Sequence, residues 1–220
     1  MSNLQIRKVA VLGAGVMGAQ IAAHLVNANV ETLLFELPAK EGDPNANVNK
    51  ALEGLKKLDP APIAIPAKIT YIRAANYDQH LEQLRECDLI VEAIAERMDW
   101  KSDLYRKVAP FVNANAIFAS NTSGLSINQL AQAFPENLRH RFCGIHFFNP
   151  PRYMHLVELI PCVATEPSLL DQLETFLVST LGKGVVRAKD TPNFIANRIG
   201  VFSMLATKHH AAAFNLGFDT

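Results

Sequence analysis

The feature that most constrains the fold of this chain is a glycine motif of the form G-x-G-x-x-G, which reads Gly13-Ala14-Gly15-Val16-Met17-Gly18. An apolar run suited to a buried strand, Val9–Leu12, precedes it, and residues 19–25 after it have apolar side chains at helical spacing. In such a unit the glycines allow a tight turn, close approach of a pyrophosphate, and close packing of helix on strand. The motif therefore predicts that residues 13–18 cradle a dinucleotide at a helix N-terminus.

A carboxylate at the end of the next apolar run supports this interpretation. Thr32–Phe35 leads into Glu36, 23 positions after Gly13, close to the roughly 20-residue spacing of the acid that binds the adenosine ribose. A carboxylate there accepts hydrogen bonds from the 2′-hydroxyl and repels a 2′-phosphate, so Glu36 favours NAD over NADP. The alternative is a glycine turn that only joins a strand to a helix, with Glu36 at a solvated strand end.

The composition argues against several classes of protein. The 220 residues suffice for one large domain, or for one domain and part of another, and 49% of them are hydrophobic. With 21 Lys and Arg against 21 Asp and Glu, the chain has no signature of nucleic-acid or membrane partners. No apolar run reaches the roughly 18 residues of a membrane span. Residues 1–7 lack the apolar core of a signal peptide.

Cysteine and histidine spacing points away from a metal site. Cys87, Cys143 and Cys162 are scattered, and the first two adjoin apolar runs where core packing is their expected role. His209 and His210 are adjacent, so their side chains point apart on a helix. We predict no metal site, and a reducing cytoplasm fits the cysteine usage best.

Strand-like and helix-like segments alternate along the chain. Strands are predicted at Val9–Leu12, Thr32–Glu36, Ile69–Ile72, Leu89–Ala93, Ala116–Ser120, Gly144–Phe148, His155–Ile160 and Gly184–Ala188. Helices are predicted at Met17–Ala28, Ala46–Lys57, Tyr77–Arg85, Trp100–Pro110, Ile127–Ala133 and Ser168–Leu181. This alternation is typical of the α/β class, with a Rossmann-type doubly wound, mostly parallel sheet.

A last helix is predicted from Phe194, with Asp190 or Thr191 as its N-cap and Pro192 in its first turn. It is apolar on most faces, which is typical of a helix buried among other helices. We therefore expect a dinucleotide-binding domain over residues 1–190. Residues 191–220 would be the start of a truncated all-α C-terminal domain for substrate binding and dimerisation. The alternative is that this helix packs on a second copy of the chain.

Polar residues with catalytic potential lie near predicted strand ends. Ser120–Gly124 follows an apolar run and so lies at the carboxyl end of a strand, where open α/β sheets bind ligands. His146 is also near a strand end, and Glu158 has two apolar residues on each side. A buried carboxylate needs a partner, and a histidine paired with it makes a general base. Taken singly, His146 is consistent with a core histidine, Glu158 with a solvated strand face, and Ser120–Gly124 with a loop or helix cap.

In combination, these motifs resemble the 3-hydroxyacyl-CoA dehydrogenase family over essentially the whole chain. The matching segments are Gly13–Gly18 with Glu36, Ala93–Glu96 with Lys101, Ser120–Ser123, His146–Pro150, Leu156–Glu158 and Lys189–Arg198. The loop at 38–43 and the Pro-Ala-Pro segment at 60–62 look like a subgroup of long multifunctional bacterial chains. In those chains an enoyl-CoA hydratase-like part follows the dehydrogenase, so the resemblance implies an N-terminal fragment.

The resemblance implies a catalytic role for four residues. His146 would be the general base that takes the proton from the 3-hydroxyl, and Glu158 would orient and support it. Ser123 and Asn197 would hydrogen-bond the substrate near the reacting carbon.

It also implies cofactor contacts beyond the glycine motif and Glu36. Glu96, Lys101, Ser123 and Asn149 match positions that line the NAD site, and Lys101 could hydrogen-bond a cofactor ribose. The family often carries a serine and a lysine for coenzyme A on the helix after the second strand. Here that region reads Leu52–Lys57, with glycine at the approximate serine position, so these contacts stay unassigned.

The activity implied is NAD-dependent oxidation of (S)-3-hydroxyacyl-CoA to 3-ketoacyl-CoA in fatty-acid β-oxidation. We expect no nucleic-acid or membrane partner, and a homo-oligomer formed through C-terminal helices of the full-length chain. Two alternatives stay open: a related dehydrogenase of a non-CoA hydroxy acid, and an NAD-binding module that is inactive without the missing helices.

Overall fold

A central sheet of eight strands organises the computed structural model, which describes residues 5–214, 216 and 217. The strands are β1 (Lys8–Leu12), β2 (Glu31–Glu36), β3 (Ile72–Asn76), β4 (Leu89–Glu92), β5 (Ile117–Ser120), β6 (Phe142–Phe147), β7 (Leu156–Pro161) and β8 (Gly184–Arg187). Their order across the sheet is β3-β2-β1-β4-β5-β6-β7-β8. Strands β1 to β6 are parallel, β7 is antiparallel to β6, and β8 is parallel to β7. The predicted Rossmann-type, mostly parallel sheet is confirmed.

Helices cover both faces of this sheet. They are α1 (Val16–Asn27), α2 (Ala46–Leu55), α3 (Met98–Val108), α4 (Ile127–Gln132), α5 (Pro167–Ser179) and α6 (Ala196–Ala213). Because successive strand residues point to opposite faces, β1 contributes to two cores. Val9 and Val11 pack with α1 and α5, whereas Ala10 and Leu12 pack with α3 and α4.

The strand order reverses between β1 and β4. From β1 the chain builds outward through β2 and β3, then crosses back to place β4 on the other side of β1. The loops that follow β1 and β4 therefore separate at the carboxyl edge of the sheet, where open α/β sheets bind their ligands. The glycine motif follows β1, which places the predicted dinucleotide site at this point.

The predicted third strand, Ile69–Ile72, is wrong, because the strand lies a few residues further along the chain. Residues Pro66–Tyr71 form a 3-10 turn, and the strand is Ile72–Asn76. Proline begins the turn, and Lys68 within it donates to the Asn27 carbonyl at 2.8 Å. β3 is an edge strand with one flank in solvent, so it includes polar residues that hid it from an apolar pattern.

The predicted helix Tyr77–Arg85 is also wrong. A turn follows β3, and only Leu81–Glu86 is helical, as a 3-10 helix. The Asn76 carboxamide oxygen accepts hydrogen bonds from the backbone N–H groups of Asp78 and Gln79. These donors are satisfied locally, which favours a turn over an α-helix.

The last helix, α6, begins at Ala196 and not at Phe194. Neither Asp190 nor Thr191 caps it. Asp190 instead accepts hydrogen bonds from the backbone N–H groups of Ile127 and Asn128, both at 2.9 Å, and so caps α4.

Large apolar side chains along α6, including Ile199, Phe202 and Leu205, are exposed. The predicted division into two domains at residue 190 stays a prediction. Within those two domains, residues 1–4, 215 and 218–220 lie outside the described residues. No helix in the described part of the chain is long and apolar enough to cross a membrane.

Candidate active site

The glycine motif forms the turn from β1 to α1. Gly13 has φ +104°, and a Cβ on it would lie 2.9 Å from the Ala93 carbonyl oxygen. A Cβ on Gly18 would overlap the Gly13 carbonyl, so helix and turn pack as closely as a backbone allows. Gly15 faces open space and caps α1 without a side-chain hydrogen bond. The first N–H groups of α1 thus have room for a bound phosphate, and the residues present fit a dinucleotide.

Glu36 lies beside this turn at the end of β2. One carboxylate oxygen accepts a hydrogen bond from the Ala14 N–H and the other from the Leu37 N–H, both at 2.8 Å. Each carboxylate oxygen can accept more than one hydrogen bond. The half-buried group can therefore receive ribose hydroxyls next to the phosphate cradle, as its spacing in the sequence predicts.

A cleft of about 620 Å³ extends from the glycine turn along the carboxyl edge of the sheet. It brings together the predicted site residues Gly15, Val16, Met17, Glu96, Ser123, His146, Asn149 and Asn197. They come from five separate parts of the chain. The parallel strands β1, β4, β5 and β6 collect four of these parts because their carboxyl ends meet at one edge, and α6 brings Asn197.

His146 and Glu158 form a buried pair at one wall of this cleft. They lie directly opposite each other on β6 and β7, and His146 Nδ1 is 2.8 Å from Glu158 Oε2. The side chains of His146 and Glu158 are 5% and 1% exposed. A carboxylate accepts, so Nδ1 carries the hydrogen and Nε2 is left with a lone pair that can take a proton.

The second oxygen of Glu158 holds the start of α6. Glu158 Oε1 accepts hydrogen bonds from the N–H groups of Ile195, at 3.0 Å, and Ala196, at 2.8 Å. Phe194, just before them, lies edge-on to the His146 ring with 5.8 Å between centroids. Glu158 therefore joins the histidine to the N-terminus of α6 through its two carboxylate oxygens.

Glu96 also lines the cleft and organises the loop after β5. Its Oε1 accepts hydrogen bonds from the Thr122 hydroxyl at 2.6 Å and from the backbone N–H groups of Ser123 and Gly124 at 2.9 Å. Burial works to raise the pKa of Glu96, but the Thr122 hydrogen bond and the Lys101 charge outweigh it and lower that pKa. Glu96 thus stays ionised and fixes the loop that carries Ser123.

Asn197 completes the cluster from the first turn of α6. Its side-chain amide donates to the Ser123 carbonyl at 3.5 Å. The two residues that the resemblance assigns to the substrate are therefore neighbours, and both line the cleft that His146 lines.

Comparison with known proteins decides the family. Residues 8–191 match the family model described as 3-hydroxyacyl-CoA dehydrogenase, NAD binding domain. The chain belongs to the 3-hydroxyacyl-CoA dehydrogenase family. The matched part is its NAD-binding domain, so NAD is the cofactor that the glycine turn and Glu36 accommodate.

Named relatives agree with this assignment. The chain is 42% identical over 215 residues to a protein of Rickettsia felis named as a fatty acid oxidation complex trifunctional enzyme, covering 97% of this chain and 30% of that one. It is 41% identical to a protein of Deinococcus radiodurans named as a 3-hydroxyacyl-CoA dehydrogenase, covering 97% of this chain and 62% of that one. Among solved structures, (S)-3-hydroxybutyryl-CoA dehydrogenase from Ralstonia eutropha matches with a TM-score of 0.72 and 32% identity, over 89% of this chain and 68% of that chain.

Of the predicted cofactor residues of this dehydrogenase-family chain, Lys101 lies deepest in the structure. Its side chain is 1% exposed and its ammonium group pairs with Glu92, with Glu96 Oε2 at 3.9 Å. Glu92 also accepts hydrogen bonds from the hydroxyl groups of Tyr105 and Ser120, both at 2.7 Å. Contact of Lys101 with a ribose stays a prediction. In the structure the Lys101 ammonium group pairs with Glu92 and lies close to the Glu96 carboxylate.

Sequence reasoning did not single out three residues that shape the site. Glu92 ends the apolar run of β4 as Glu36 ends that of β2, and this parallel is the signal that could have found it. Gln20 on α1 donates to the Asn149 side chain at 3.2 Å. Asn121 accepts from the Phe147 N–H at 2.9 Å and so ties the end of β5 to the end of β6. Asn121 lies in the stretch Ser120–Gly124 that the strand-end pattern marked, but that pattern gives no role to Asn121 itself, and for Gln20 no sequence pattern gave a signal.

Proposed function

We propose that this chain provides the NAD site and the catalytic base for oxidation of (S)-3-hydroxyacyl-CoA to 3-ketoacyl-CoA in fatty-acid β-oxidation. The observation that carries the proposal is the His146–Glu158 pair, whose histidine lines the same cleft as the glycine turn. The names of the Rickettsia and Ralstonia proteins support the pathway and the (S)-hydroxy substrate.

His146 would act as the general base. Its Nε2 accepts the proton of the 3-hydroxyl as the C3–O bond gains double-bond character. The imidazolium that forms is stabilised by the Glu158 carboxylate, which the two backbone donors of α6 keep oriented. Phe148, with its ring centroid 4.3 Å from that of His146, and Phe194 enclose the imidazole and exclude water from it.

The remaining residues would bind and orient. Ser123 and Asn197 line the same cleft as His146, where they can hold the oxygen on C3. Bound NAD supplies the acceptor for the hydride that leaves C3. Gly13–Gly18 and Glu36 would bind its phosphates and ribose, and Glu96, Lys101 and Asn149 would shape the remainder of its site. Positioning of this kind accounts for much of the rate that a dehydrogenase achieves.

One observation favours a second candidate for the chain taken alone. Asn197 belongs to α6, and Glu158 caps the start of that helix. The α6 side chains of Ile199, Phe202 and Leu205 are exposed. An unsupported helix would leave the cleft able to bind NAD but not to turn substrate over. We further propose a cytoplasmic location and a homo-oligomer formed by helical parts of the full-length protein.

The test is NADH formation from (S)-3-hydroxybutyryl-CoA and a longer homologue, on the chain alone and on the full-length gene product. His146→Ala should lower turnover by about 10²–10⁴-fold, because the base is removed, and leave the Kd for NAD within about twofold. His140→Ala is the matched control, since His140 lies before the other end of β6 and lines no part of the cleft.

Each outcome separates the candidates. Turnover by the full-length protein alone would favour an NAD-binding module that α6 and its partners complete. Activity only on free 3-hydroxy acids would refute the CoA substrate, and an active His146→Ala variant would refute the assigned base.

A further inference from the structure

A second cavity, of about 430 Å³, adjoins the catalytic cleft, and Gly15 and Ala93–Ala95 line both. It opens between the end of β2, the loop after β4 and one face of α3. Leu37, Ile94, Ala95 and Leu104 give it apolar walls. Because Glu36 and Gly15 line it as well, it continues the dinucleotide cradle away from His146.

One face of α3 forms the outer wall of this cavity. Trp100, Asp103, Leu104 and Lys107 all line it, at the i, i+3, i+4, i+7 spacing of a single helix face. Trp100 is 51% exposed, although it is the largest apolar side chain available to the core. An indole half in water on an apolar wall leaves a planar surface free to stack.

The indole is held in place by its neighbours in sequence. The Arg97 guanidinium carbon lies 4.5 Å from the indole centroid. Arg97 itself is fixed by Asp99, with Arg97 Nε donating to one carboxylate oxygen at 3.1 Å and the other guanidinium nitrogen pairing with the second oxygen. Arg97 thus occupies one face of the indole and leaves the other available to a ligand.

A polar group points to a ligand in the same cavity. Tyr77 lines it and is 3% exposed. Its hydroxyl lies beside the Gly13 backbone, but it has no partner in hydrogen-bonding geometry among the described residues. A buried hydroxyl without a partner loses free energy, which a ligand acceptor would restore.

We propose that Trp100 stacks on the adenine ring of NAD while Arg97 holds the opposite face of the indole, with Tyr77 as a hydrogen-bond donor to the adenosine; this arrangement is called the adenine clamp. The proposal rests on NAD as the cofactor. Adenine is a flat aromatic ring, and Trp100 offers the one large aromatic face of α3 in this cavity, backed by a cation. The clamp anchors the adenosine end of the cofactor while His146 and Ser123 act at the other end.

The experiment uses Trp100 as its own reporter, because it is the single tryptophan of the chain. AMP should change its emission on saturation, and calorimetry should give the Kd of AMP and of NAD. Trp100→Ala should weaken both ligands by about 5- to 100-fold, the range that loss of one base-stacking aromatic implies. Trp100→Phe and Arg97→Gln should weaken them less. Tyr71→Ala, at an exposed aromatic outside this cavity, is the matched control and should change neither Kd.

The outcomes distinguish the clamp from the cofactor. One outcome would refute the clamp and leave the cofactor assignment standing: the wild-type chain binds NAD, and Trp100→Ala binds AMP with a Kd within twofold of wild type. Circular dichroism shows whether that variant is folded. The clamp is also refuted if saturating AMP leaves the wild-type emission unchanged. If wild-type chain binds neither AMP nor NAD, the cofactor assignment fails and the clamp fails with it.

Discussion

The chain buries two histidines against the same sheet, and they differ in the partner that each one meets. His24, on α1, is 9% exposed, and its Nε2 donates to the Leu181 carbonyl at 3.1 Å. Its Nδ1 has no hydrogen-bond partner among the residues that the structure describes. His146 is as deeply buried, but its Nδ1 donates to the carboxylate of Glu158.

The electrostatic surroundings separate them further. Burial, and then the positive charge of Lys183, lower the pKa of His24 to about 4, so this histidine is neutral near pH 7. Lys183 is itself buried and donates to the carbonyl groups of Pro151 and Met154. Beside His146 the nearest charged group is the Glu158 carboxylate, which accepts the Nδ1 hydrogen bond. We therefore expect His24 to be a structural residue, and the proposed role of His146 as a base depends on Glu158.

The largest expected effect comes from removing the carboxylate beside His146, which leaves this histidine, like His24, without an acidic partner. In Glu158→Gln the neutral amide can still accept from the Ile195 and Ala196 N–H groups, so α6 stays capped. It cannot stabilise an imidazolium, and its NH₂ group favours the wrong tautomer of His146. We expect kcat to fall by about 10²–10⁴-fold with the Kd for NAD unchanged.

Turnover of the full-length protein and calorimetry on the chain measure the two quantities. Glu166→Gln, at the exposed N-cap of α5, is the control carboxamide. Wild-type kcat in Glu158→Gln would show that the pair is a structural contact like that of His24.

A smaller effect is expected on acid stability through His24. Its pKa is about 4 when folded and 6.5 when unfolded, so below pH 6.5 the unfolded chain binds a proton that the folded chain refuses. Stability should fall as the pH falls through this window, by up to about 3 kcal/mol near pH 4. His24→Gln keeps a donor for the Leu181 carbonyl and should lessen that loss.

The free energy of unfolding in urea, measured for the wild-type protein and for His24→Gln at pH 7 and pH 5, provides the test. The comparison concerns only the difference between the two chains, because other groups titrate equally in each. Equal losses of stability between the two pH values would contradict the low pKa of His24.

The smallest effect is on the pKa of His24 itself. Lys183→Gln removes the neighbouring charge and keeps an amide that can donate to the Pro151 and Met154 carbonyls. We expect the pKa of His24 to rise but to stay below its ordinary value, because burial is the larger cause. Arg152→Gln should raise it less. NMR titration of the His24 ring reports both, and a lower pKa in either variant would reverse the proposed role of these charges.

Much of the fold could be predicted because its signals are local. The apolar runs of β1, β2, β4 and β5 are buried on both faces and end in turn or polar residues. The edge strand β3 was misplaced because solvent on its open side permits Arg73, which pairs with Glu31 of β2. Asn76 ended that strand in a turn whose hydrogen bonds a helical pattern does not reveal.

The candidate site was predictable only where its residues follow strands. Ser123, His146 and Asn149 lie where the strand pattern put them, and Glu158 was found because an apolar context made its charge conspicuous. The contact of Glu158 with the start of α6 joins residues 37 and 38 positions apart, and no local pattern encodes it. Lys101 was expected at the cofactor, but only tertiary packing discloses that Glu92 holds its charge.

The reversal of the sheet at β7 has a consequence for how this protein can vary. His146 and Glu158 are directly paired across a ladder, with Phe147 opposite Val157 at the end next to the connection. The connection between these strands can therefore gain or lose residues without altering the distance between imidazole and carboxylate, since the register is set by the ladder and not by the connection. That connection carries Asn149 and borders the cleft, so new ligand contacts can arise there by insertion while the spacing of His146 and Glu158 is kept.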